Sequence, residues 1–372
     1  MKSDEKWYQC RQVSQIDSPA LLVYTERVKH NIDLIKTMVD DVAKLRPHVK
    51  TAKAKDAVLL MMAAGIQKFK CATIAEAEML ALCKVTDVLL AYQPTEVKLH
   101  RLLNLMEAYP STRFSCLVDN LQSAKLFAKA AAAHNILLPV FIDLNVGMNR
   151  TGIIADNKVI DLVEDIVAMP ALKLLGFHAY DGHLTEVDLK KRSKICNALF
   201  EPVERLRTSL TEKGYLLPLL IAGGSPSFQI HSQRLNAEVS PGTFVFWDKG
   251  YLENLPEQAF LPAAVVMTRV ISLPAEDKIC IDLGHKSIAS ENDLLHRVFF
   301  LNAPHLKPCS HSEEHMVLTA DLQHGFGIGD VLYAVPYHIC PTVALYKKAY
   351  CIHSNETIGE WQILARDRKI NF

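Results

Sequence analysis

Several features are missing from this sequence, and each absence excludes a class of protein. Its 372 residues include 41 Lys plus Arg and 41 Asp plus Glu, so no excess charge attracts nucleic acid or an anionic membrane. No apolar run approaches the roughly 18–20 residues that a membrane-spanning helix needs. The opening MKSDEKWYQC has no apolar core, so we expect no secretory signal.

Cysteines at metal-site or redox spacing are also missing. The nine cysteines are scattered, their number is odd, and no two form a CxxC motif. This usage is typical of a reduced protein with free thiols, and we expect a cytoplasmic location. No GxGxxG motif follows the first predicted strand, which disfavours a dinucleotide-binding fold. The 49% hydrophobic and 22% charged content is that of a folded globular protein.

Short apolar runs alternate with helical periodicity along most of the chain. We predict eight strands, at 45–50, 70–73, 87–92, 113–119, 138–145, 173–180, 218–224 and 239–246. Helical segments lie between them, at 53–66, 74–84, 120–134, 157–168 and 186–213. Buried strands that alternate with helices indicate a parallel sheet. Eight such units favour a closed (β/α)8 barrel of the TIM type, an α/β fold.

The pattern changes after residue 255, where short β-type runs are separated by Pro, Gly, Asn and Asp. The runs at 263–273, 278–283, 297–301, 315–319, 331–335 and 349–353 predict an antiparallel β domain. We therefore predict an N-terminal segment at 1–18 that packs with the β domain, a barrel at 19–255 and the β domain at 256–372. The strand-like LLVY at 21–24 is also expected to pack with the β domain.

Functional side chains of such a barrel come from the C-terminal ends of its strands. Lys50 ends the first strand, and its amine either extends to solvent or is desolvated and forms a Schiff base with a carbonyl. Arg150 lies between two glycines after the fifth strand, and Tyr180 and His183 follow the sixth. These three are either solvated rim residues or a cation, an aromatic ring and an acid or base beside a ligand.

The loops after the last two strands carry small residues. Gly223, Gly224 and Ser225 end the seventh strand, and Gly242 and Thr243 lie in the next loop. They form either plain tight turns or a phosphate cradle of backbone N–H groups and hydroxyls. A reactive lysine and a phosphate cradle on one barrel face suit pyridoxal 5′-phosphate, or a sugar phosphate in a Schiff-base aldolase.

A further pair, His338 and Cys340, lies in the predicted β domain. If this segment is a strand, residues two apart point to the same face and both side chains reach one ion. An imidazole and a thiolate suit Zn²⁺. The alternative is a buried His and Cys without a metal.

Motifs in a fixed order resemble one family. They are SPALLVY (18–24), RPHVKT (46–51), CATIAEAEMLA (71–81), GMNRTG (147–152), IAGGSPSF (221–228), EVSPGTFVFWD (238–248), EEH (313–315) and VPYHICPTV (335–343). The chain resembles the D-threonine aldolase and D-serine dehydratase family. These are pyridoxal phosphate enzymes of fold type III, with the alanine-racemase-type fold.

The resemblance implies a role for each candidate residue. Lys50 forms the Schiff base, Arg150 faces the phenolic oxygen of the cofactor, and Tyr180 lies against its ring or the substrate. The phosphate is held by Gly223, Gly224, Ser225, Gly242 and Thr243. His338 and Cys340 bind a divalent metal, Zn²⁺ or Mn²⁺, beside the substrate. His183 is the candidate base because aldolases of this family carry a histidine on the same loop. Family members are commonly homodimers.

The implied activity is a lyase reaction on small D-3-hydroxy amino acids, with aldolase cleavage to glycine and an aldehyde as the leading expectation. A dehydratase that gives a keto acid and ammonia is the first alternative. An amino-acid racemase and a pyridoxal phosphate carrier without turnover are the others. The metal pair favours a lyase over a racemase, and the β domain disfavours the carrier. We expect no nucleic-acid or membrane partner.

Overall fold

The computed structural model describes residues 6–372, which fold into two compact units. The barrel unit comprises Ile35–Lys50, Val58–Gly242 and Asp367–Phe372, and the sheet unit comprises the chain up to Leu34, Thr51–Ala57 and Thr243–Arg366. The predicted boundaries after residues 18 and 255 assume contiguous domains, whereas both units are discontinuous. The first five residues of the predicted N-terminal segment lie outside the described chain.

The first strand, β1 (Ala20–Tyr24), belongs to the sheet unit, and eight parallel strands follow in the barrel unit. They are β2 (Lys68–Cys71), β3 (Asp87–Leu90), β4 (Arg113–Val118), β5 (Leu138–Asn145), β6 (Ile153–Ile154), β7 (Leu172–Ala179), β8 (Leu219–Ala222) and β9 (Ala237–Val239). Their order is β2-β3-β4-β5-β7-β8-β9, with the two-residue β6 beside β5.

Helices connect these strands, as the sequence predicts. Residues of α1 (Thr25–Thr37) and α2 (Lys55–Ala63) are divided between the units. The barrel unit contains α3 (Ile74–Leu82), α4 (Glu96–Ala108), α5 (Leu121–Ala133), α6 (Asn157–Val167), α7 (Leu189–Glu212) and α8 (Phe228–Ser232). Helix α3 begins at the N-cap Thr73, whose Oγ1 accepts from the Glu76 N–H, and the Glu76 carboxylate accepts from the Ala72 N–H just before the cap.

Segment 45–49 closes the ring of strands. Leu45 bridges Val239 of β9, and His48 bridges Lys70 of β2, both in parallel orientation. The Val49 N–H donates to the Lys70 carbonyl at 2.9 Å. The predicted barrel is thereby confirmed, although its first predicted strand is held by isolated bridges and the strand predicted at 239–246 is wrong beyond Val239, where β9 ends. Pro47 lies in the middle of this segment and has no N–H to donate to a ladder.

Buried charges form what we call the ion-paired cluster, at the N-terminal ends of the barrel strands. Arg46, 1% exposed, donates from Nη1 to Asp87 (2.8 Å) and from Nε to Glu238 (2.6 Å). Lys68 also pairs with Glu238, and Arg113 with Asp87. Burial alone would lower the pKa of Arg46, but the two carboxylates raise it above its usual value.

The sheet unit is built on a nine-stranded sheet. With β1, its strands are β10 (Ala264–Ala275), β11 (Lys278–Ile281), β12 (Val298–Phe300), β13 (Lys307–His311), β14 (Met316–Thr319), β15 (Val331–Pro336), β16 (Lys348–His353) and β17 (Glu356–Gln362). The order is β13-β14-β11-β10-β1-β16-β17, and β15 pairs with β10 and β12. Two helices, α9 (Lys249–Asn254) and α10 (Ile339–Leu345), complete the unit.

The predicted strands of the β domain are all present, and the structure adds two. β13 contains Pro308, and β17 is mostly exposed, so neither shows the apolar alternation of a half-buried strand. The pairing is antiparallel except for β1 with β16, which is parallel. The LLVY run pairs in this sheet as expected, and Cys10 and Ile16 pack in its core with Met267. No helix of residues 6–372 has both the length and the apolar content to cross a membrane.

Candidate active site

Three cationic side chains of the barrel unit surround the ring of Tyr180, which directly follows β7. The ring centroid is 5.8 Å from Lys50 Nζ, 5.7 Å from Lys70 Nζ and 5.3 Å from Arg150 Cζ. None of the three is paired with a carboxylate of the described chain. We call this group the three-cation site. An excess of positive charge at the C-terminal ends of barrel strands attracts an anionic ligand.

Glycines set the position of the Tyr180 ring. A Cβ on Gly182 would overlap the ring, and one on Gly224 would lie 3.1 Å from its Cε2 atom. The ring therefore lies over backbone that only glycine leaves open on these two sides. Tyr180 and the glycine-rich loop after β8 are thus neighbours, as their positions at two adjacent strand ends predict.

Arg150 lies on a loop that two glycines and an asparagine shape. Gly152 has φ +96°, and a Cβ there would lie 2.7 Å from the backbone nitrogen of Asn145. The Asn145 side chain accepts from the Gly147 N–H at 3.0 Å and from the Asn149 N–H at 3.1 Å. The loop is therefore closed by local hydrogen bonds, and Arg150 is exposed at its end.

Lys70, the middle cation, was missed by the sequence analysis. It is 2% exposed, and its Nζ lies 3.4 Å from Nε2 of His178. Nδ1 of His178 lies 2.7 Å from Asp143. Burial, and then the charge of Lys50, lower the pKa of Lys70 to about 7, although Asp143 raises it.

His178 and Asp143, which follow Lys70 in this series of hydrogen bonds, also have shifted pKa values. Burial and the neighbouring charge of Lys70 lower the pKa of His178, against the raising effect of Asp143. Burial would raise the pKa of Asp143, but hydrogen bonds from His178, Thr151 and Gln93 keep it below its usual value. Asp143 is therefore a carboxylate and His178 a neutral imidazole at pH 7.

His183, the predicted base, occupies different surroundings. Its Nδ1 atom is buried and makes no hydrogen bond within residues 6–372. Its Nε2 faces the loop after β5, because a Cβ on Gly147 would lie 3.1 Å from that atom and 3.6 Å from Leu199 of α7. The structure thus places His183 against Gly147 of the loop that carries Arg150. Its role as a base stays a prediction.

The predicted phosphate loops approach their neighbours closely. Gly223 has φ +76°, and a Cβ there would lie 2.9 Å from His231. The Gly224 N–H points to Ser227 Oγ at 3.4 Å, and Ser225 is buried. A Cβ on Gly242 would lie 2.6 Å from the His48 carbonyl. A side chain at Gly223 or Gly242 would overlap these neighbours, and the role of the two loops in phosphate binding stays a prediction.

A buried group of Asp181, Cys196 and His231 lies behind the glycine-rich loop. Their ligand atoms all lie within 4.8 Å of one another, a grouping that could hold a metal ion. Arg234 Nε, however, donates to His231 Nδ1 at 3.0 Å, so His231 Nε2 carries a proton and donates to Asp181 at 2.8 Å. Burial, and then the charge of Asp181, raise the pKa of Cys196 to about 12. Arg234 thus occupies the Nδ1 lone pair of His231, and the group in this hydrogen-bonded form supports the loop.

His338 and Cys340 lie in the sheet unit, but the predicted strand there is wrong. β15 ends at Pro336, and α10 begins at Ile339. Pro341 lies in the first turn of α10, where its missing N–H is tolerated. The two side chains still meet, since a hydrogen bond joins them. His338 Nδ1 also bonds to the Glu291 carboxylate.

Cys340 has two hydroxyl neighbours in the sheet unit. Its Sγ lies 2.9 Å from Thr51 Oγ1 and 3.6 Å from Thr243 Oγ1. Thr243, predicted to hold phosphate, is therefore engaged with the candidate metal ligand. Nitrogen and sulfur donors with a carboxylate on the second imidazole nitrogen are a combination that zinc sites use.

The barrel unit fits pyridoxal phosphate in its chemistry. That cofactor has an aldehyde, a phenolic oxygen and a phosphate, which call for an amine, a cation and a loop with hydrogen-bond donors. Lys50 and Arg150 supply the first two at the three-cation site. The third is met by the glycine-rich loop and by Ser240, whose buried Oγ has no hydrogen-bond partner in the described part of the chain.

Two family models match the chain. The alanine racemase N-terminal domain matches residues 23–249, and a putative serine dehydratase domain matches residues 263–352. The D-threonine aldolase of Arthrobacter sp. is 24% identical over 361 residues, covering 95% of this chain and 94% of that protein. The D-threo-3-hydroxyaspartate dehydratase of Delftia sp. strain HT23 is 24% identical over 384 residues, covering 94% and 97%.

Solved structures show the same fold. D-threonine aldolase from Filomicrobium marinum superposes with a TM-score of 0.88 at 22% identity, covering 98% of this chain and 99% of that one. A D-threo-3-hydroxyaspartate dehydratase variant in a metal-free form gives a TM-score of 0.81 at 22% identity, with 94% and 98% coverage. The chain belongs to the alanine racemase N-terminal domain family, within the group that carries a C-terminal serine dehydratase domain and includes D-threonine aldolase.

Proposed function

We propose that the protein is a pyridoxal-phosphate- and divalent-metal-dependent lyase of small D-3-hydroxy amino acids that cleaves them to glycine and an aldehyde. The observation that carries the proposal is the three-cation site around Tyr180, which includes the candidate aldehyde-binding Lys50. The full-length relatives named D-threonine aldolase support the reaction type.

The chain's own residues have distinct tasks in this proposal. The Lys50 amine holds the aldehyde carbon, and Arg150 stabilises the phenolic oxygen by its charge. Tyr180 supports the ring of the cofactor. The loops with Gly223, Gly224, Ser225, Gly242 and Thr243 hold the phosphate. When bound, the cofactor supplies an electron sink for the bond that breaks at Cα.

His338 and Cys340 are the proposed metal ligands. Their mutual contact, and the Glu291 carboxylate at His338 Nδ1, support a site for Zn²⁺ or Mn²⁺. A divalent ion supplies Lewis acidity for the β-hydroxyl of the substrate. The metal-free form solved for a related dehydratase is consistent with a metal in this family, without identifying it.

Dehydration is the second candidate reaction. The Delftia relative named D-threo-3-hydroxyaspartate dehydratase matches this chain as fully as the aldolase does. In that reaction Lys50 takes the α-proton, and the hydroxyl leaves to give a keto acid and ammonia. Both reactions use the same cofactor residues, so the products distinguish them.

The test is product identification by NMR. Purified protein with pyridoxal phosphate and Zn²⁺ or Mn²⁺ is incubated with D-threonine, and L-threonine serves as the matched control. Glycine with acetaldehyde, from the D-isomer only, is the expected result. 2-Oxobutanoate with ammonia would establish the dehydratase instead. Neither product, with deuterium entering at Cα, would indicate a racemase-type enzyme and contradict the proposal.

Metal removal tests the second part of the proposal. Treatment with a chelator should abolish product formation while the visible absorption of the bound cofactor persists, and Zn²⁺ or Mn²⁺ should restore it. Cys340→Ser should raise the metal concentration needed for half-maximal activity by about 10–100-fold, because a weak oxygen donor replaces the thiolate. Full activity in metal-free protein would contradict the metal role.

We also propose a homodimer, on the family resemblance alone. Light scattering after size exclusion should then give about twice the chain mass of 41.6 kDa. A value of one chain mass at micromolar concentration would contradict it.

A further inference from the structure

Lys70 has an environment that a structural lysine rarely has. It is the second of two lysines on β2, and Lys68, two residues before it, is ion-paired with Glu238. Lys70 instead lies 2% exposed against a histidine and a tyrosine ring, without a carboxylate partner in residues 6–372. Buried lysines without a counter-ion are unfavourable, and they are found where their chemistry is used.

The groups that face Lys70 come from all sides of the barrel interior. They are Arg46 of the closing segment, Lys50 directly after it, Asp143 of β5, His178 of β7, and Tyr180 and Asp181 after β7. The two cations oppose a charge on Lys70 and the two carboxylates favour it. Burial adds to the effect of the cations.

Hydrogen bonds connect Lys70 in series with His178, Asp143 and Gln93. Because Asp143 accepts from Nδ1 of His178, the imidazole proton is on Nδ1 and Nε2 is the acceptor. Lys70 therefore donates to Nε2, and this geometry holds for both its charged and its neutral form. Asp143 also accepts from Gln93 at 2.8 Å, which fixes the far end of the series.

We propose that Lys70 is the second proton-transfer group of the active site and takes the β-hydroxyl proton of the substrate. The inference rests on the proposed lyase function and names the base that this function needs. Lys70 Nζ and Lys50 Nζ lie at nearly equal distances from the centre of the Tyr180 ring. His183, the base that the sequence suggests, lies against Gly147 of the loop that also carries Arg150, so the second test compares its contribution with that of Lys70.

The proton balance is complete without a further reactant. The Cα–Cβ bond breaks, its electron pair stays with Cα, and the hydroxyl oxygen forms the aldehyde double bond as it loses its proton. The neutral Lys70 amine takes that proton. A proton then returns to Cα, which gives glycine, and Lys70 is neutral again when its own proton is the one returned.

The pKa of about 7 for Lys70 suits this task. A base with a pKa near the working pH is unprotonated in a large share of molecules and still binds a proton usefully. A lysine with its ordinary pKa of roughly 10.4 would be almost fully charged at pH 7 and unable to accept a proton.

The first test follows the charge of Lys70 in the holoenzyme without substrate. The visible absorption of the bound cofactor, titrated from about pH 5.5 to 9, should show a transition in the wild type, because a charge beside Lys50 appears or disappears. The transition should be absent from Lys70→Met. A wild type without this transition, or a variant that keeps it, would overturn the inference.

The second test uses substitutions that separate proton transfer from charge. Lys70→Met removes both, and Lys70→Arg keeps the charge on a group that does not deprotonate. Both should lower kcat for D-threonine cleavage by about 10²–10³-fold, with KM changed much less. Lys70→Gln is the second neutral variant should Met not fold. Wild-type kcat in Lys70→Arg would show a charge role only and overturn the inference.

Lys68→Met is the matched control on the same strand, and it should keep the pH transition and kcat within about threefold of the wild type. His183→Asn should lower kcat far less than Lys70→Met; the reverse order would assign the base to His183. Absence of cleavage products in the wild type would instead contradict the proposed function. The absorption titration needs no turnover, so the two failures are distinguishable.

Discussion

Two lysines of one strand, Lys68 and Lys70, contrast the two ends of the barrel. Both project from β2 to the same side, but Lys68 belongs to the ion-paired cluster and Lys70 to the three-cation site. At the N-terminal ends, three cations share two carboxylates, which raise the pKa of Arg46 above its usual value. At the C-terminal ends, three cations surround an aromatic ring, and the pKa of Lys70 falls to about 7.

The contrast shows how one barrel separates stability from chemistry. Charges that satisfy each other hold strands together but leave nothing for a ligand. The cations of the three-cation site make no direct ion pair within residues 6–372, although Asp143 and Asp181 favour the charged form of Lys70, and an anionic ligand would supply the missing direct partner. The general assignment of function to the C-terminal face and stability to the N-terminal face of such barrels corresponds here to direct ion pairs at one end and none at the other.

The largest effect is expected at the three-cation site. Lys50→Ala should abolish both the visible absorption of the bound cofactor and the cleavage of D-threonine, because Lys50 is assigned to the covalent link whereas the Lys70 amine is held by His178. Absorption spectra after dialysis provide the measurement, and Lys68→Ala is the control that should stay yellow. A Lys50→Ala protein that keeps the absorption would disprove the assignment of Lys50. It would also remove the evidence that the C-terminal ends of the strands bind the cofactor.

At the opposite end, Arg46→Met should reduce stability by about 3–5 kcal/mol, because it removes the central partner of two buried carboxylates. Urea unfolding followed by circular dichroism measures this loss. Lys68→Met should lower stability by about 1 kcal/mol or less, because its side chain is 32% exposed. Equal stability of Arg46→Met and the wild type would mean that the ion-paired cluster does not stabilise the barrel.

A smaller effect is expected in the pH dependence of stability. With its pKa lowered from 10.5 to about 7, Lys70 is neutral in the folded protein and charged in the unfolded chain between those values. The unfolded state then binds the extra proton, so stability rises with pH in this window. Between pH 7 and 9 the gain should be about 2 kcal/mol in the cofactor-free protein.

Lys70→Met should lack that rise, and Lys68→Met should retain it. Denaturation midpoints at several pH values, compared among the three proteins, give the slope. A slope that is the same in Lys70→Met and the wild type would assign the pH dependence to other groups.

The fold was largely predictable because its signals are local. The buried strands at 113–118 and 138–145 and the amphipathic helix at 157–167 carry strong periodicity, and their bounds agree within a residue or two. The closing segment 45–49 has the composition of a strand but only isolated bridges. Such a difference depends on pairing partners distant in sequence.

The candidate site was predictable where a residue ends a strand. Lys50, Arg150 and Tyr180 were found this way, and the structure places all three together. Lys70 could not be identified from the sequence KFKC, because Lys68 and Lys70 each precede an apolar residue and the pattern does not distinguish them. Only the fold distinguishes them, by placing Glu238 beside one and His178 beside the other. The HxC motif was assigned to a strand because Pro341 was not recognised as a first-turn residue of a helix.

The isolated bridges of segment 45–49 make it the seam of the barrel. Its backbone hydrogen bonds run to β9 on one side and to β2 on the other, and Arg46 within it makes two buried ion pairs of the ion-paired cluster. The residue that follows it is Lys50, the proposed covalent anchor. Cofactor binding should slow amide exchange in this segment, because a ligand that binds only the closed form stabilises that form. One short segment thus joins the part of the barrel that ion pairs stabilise to the residue that would bind the cofactor.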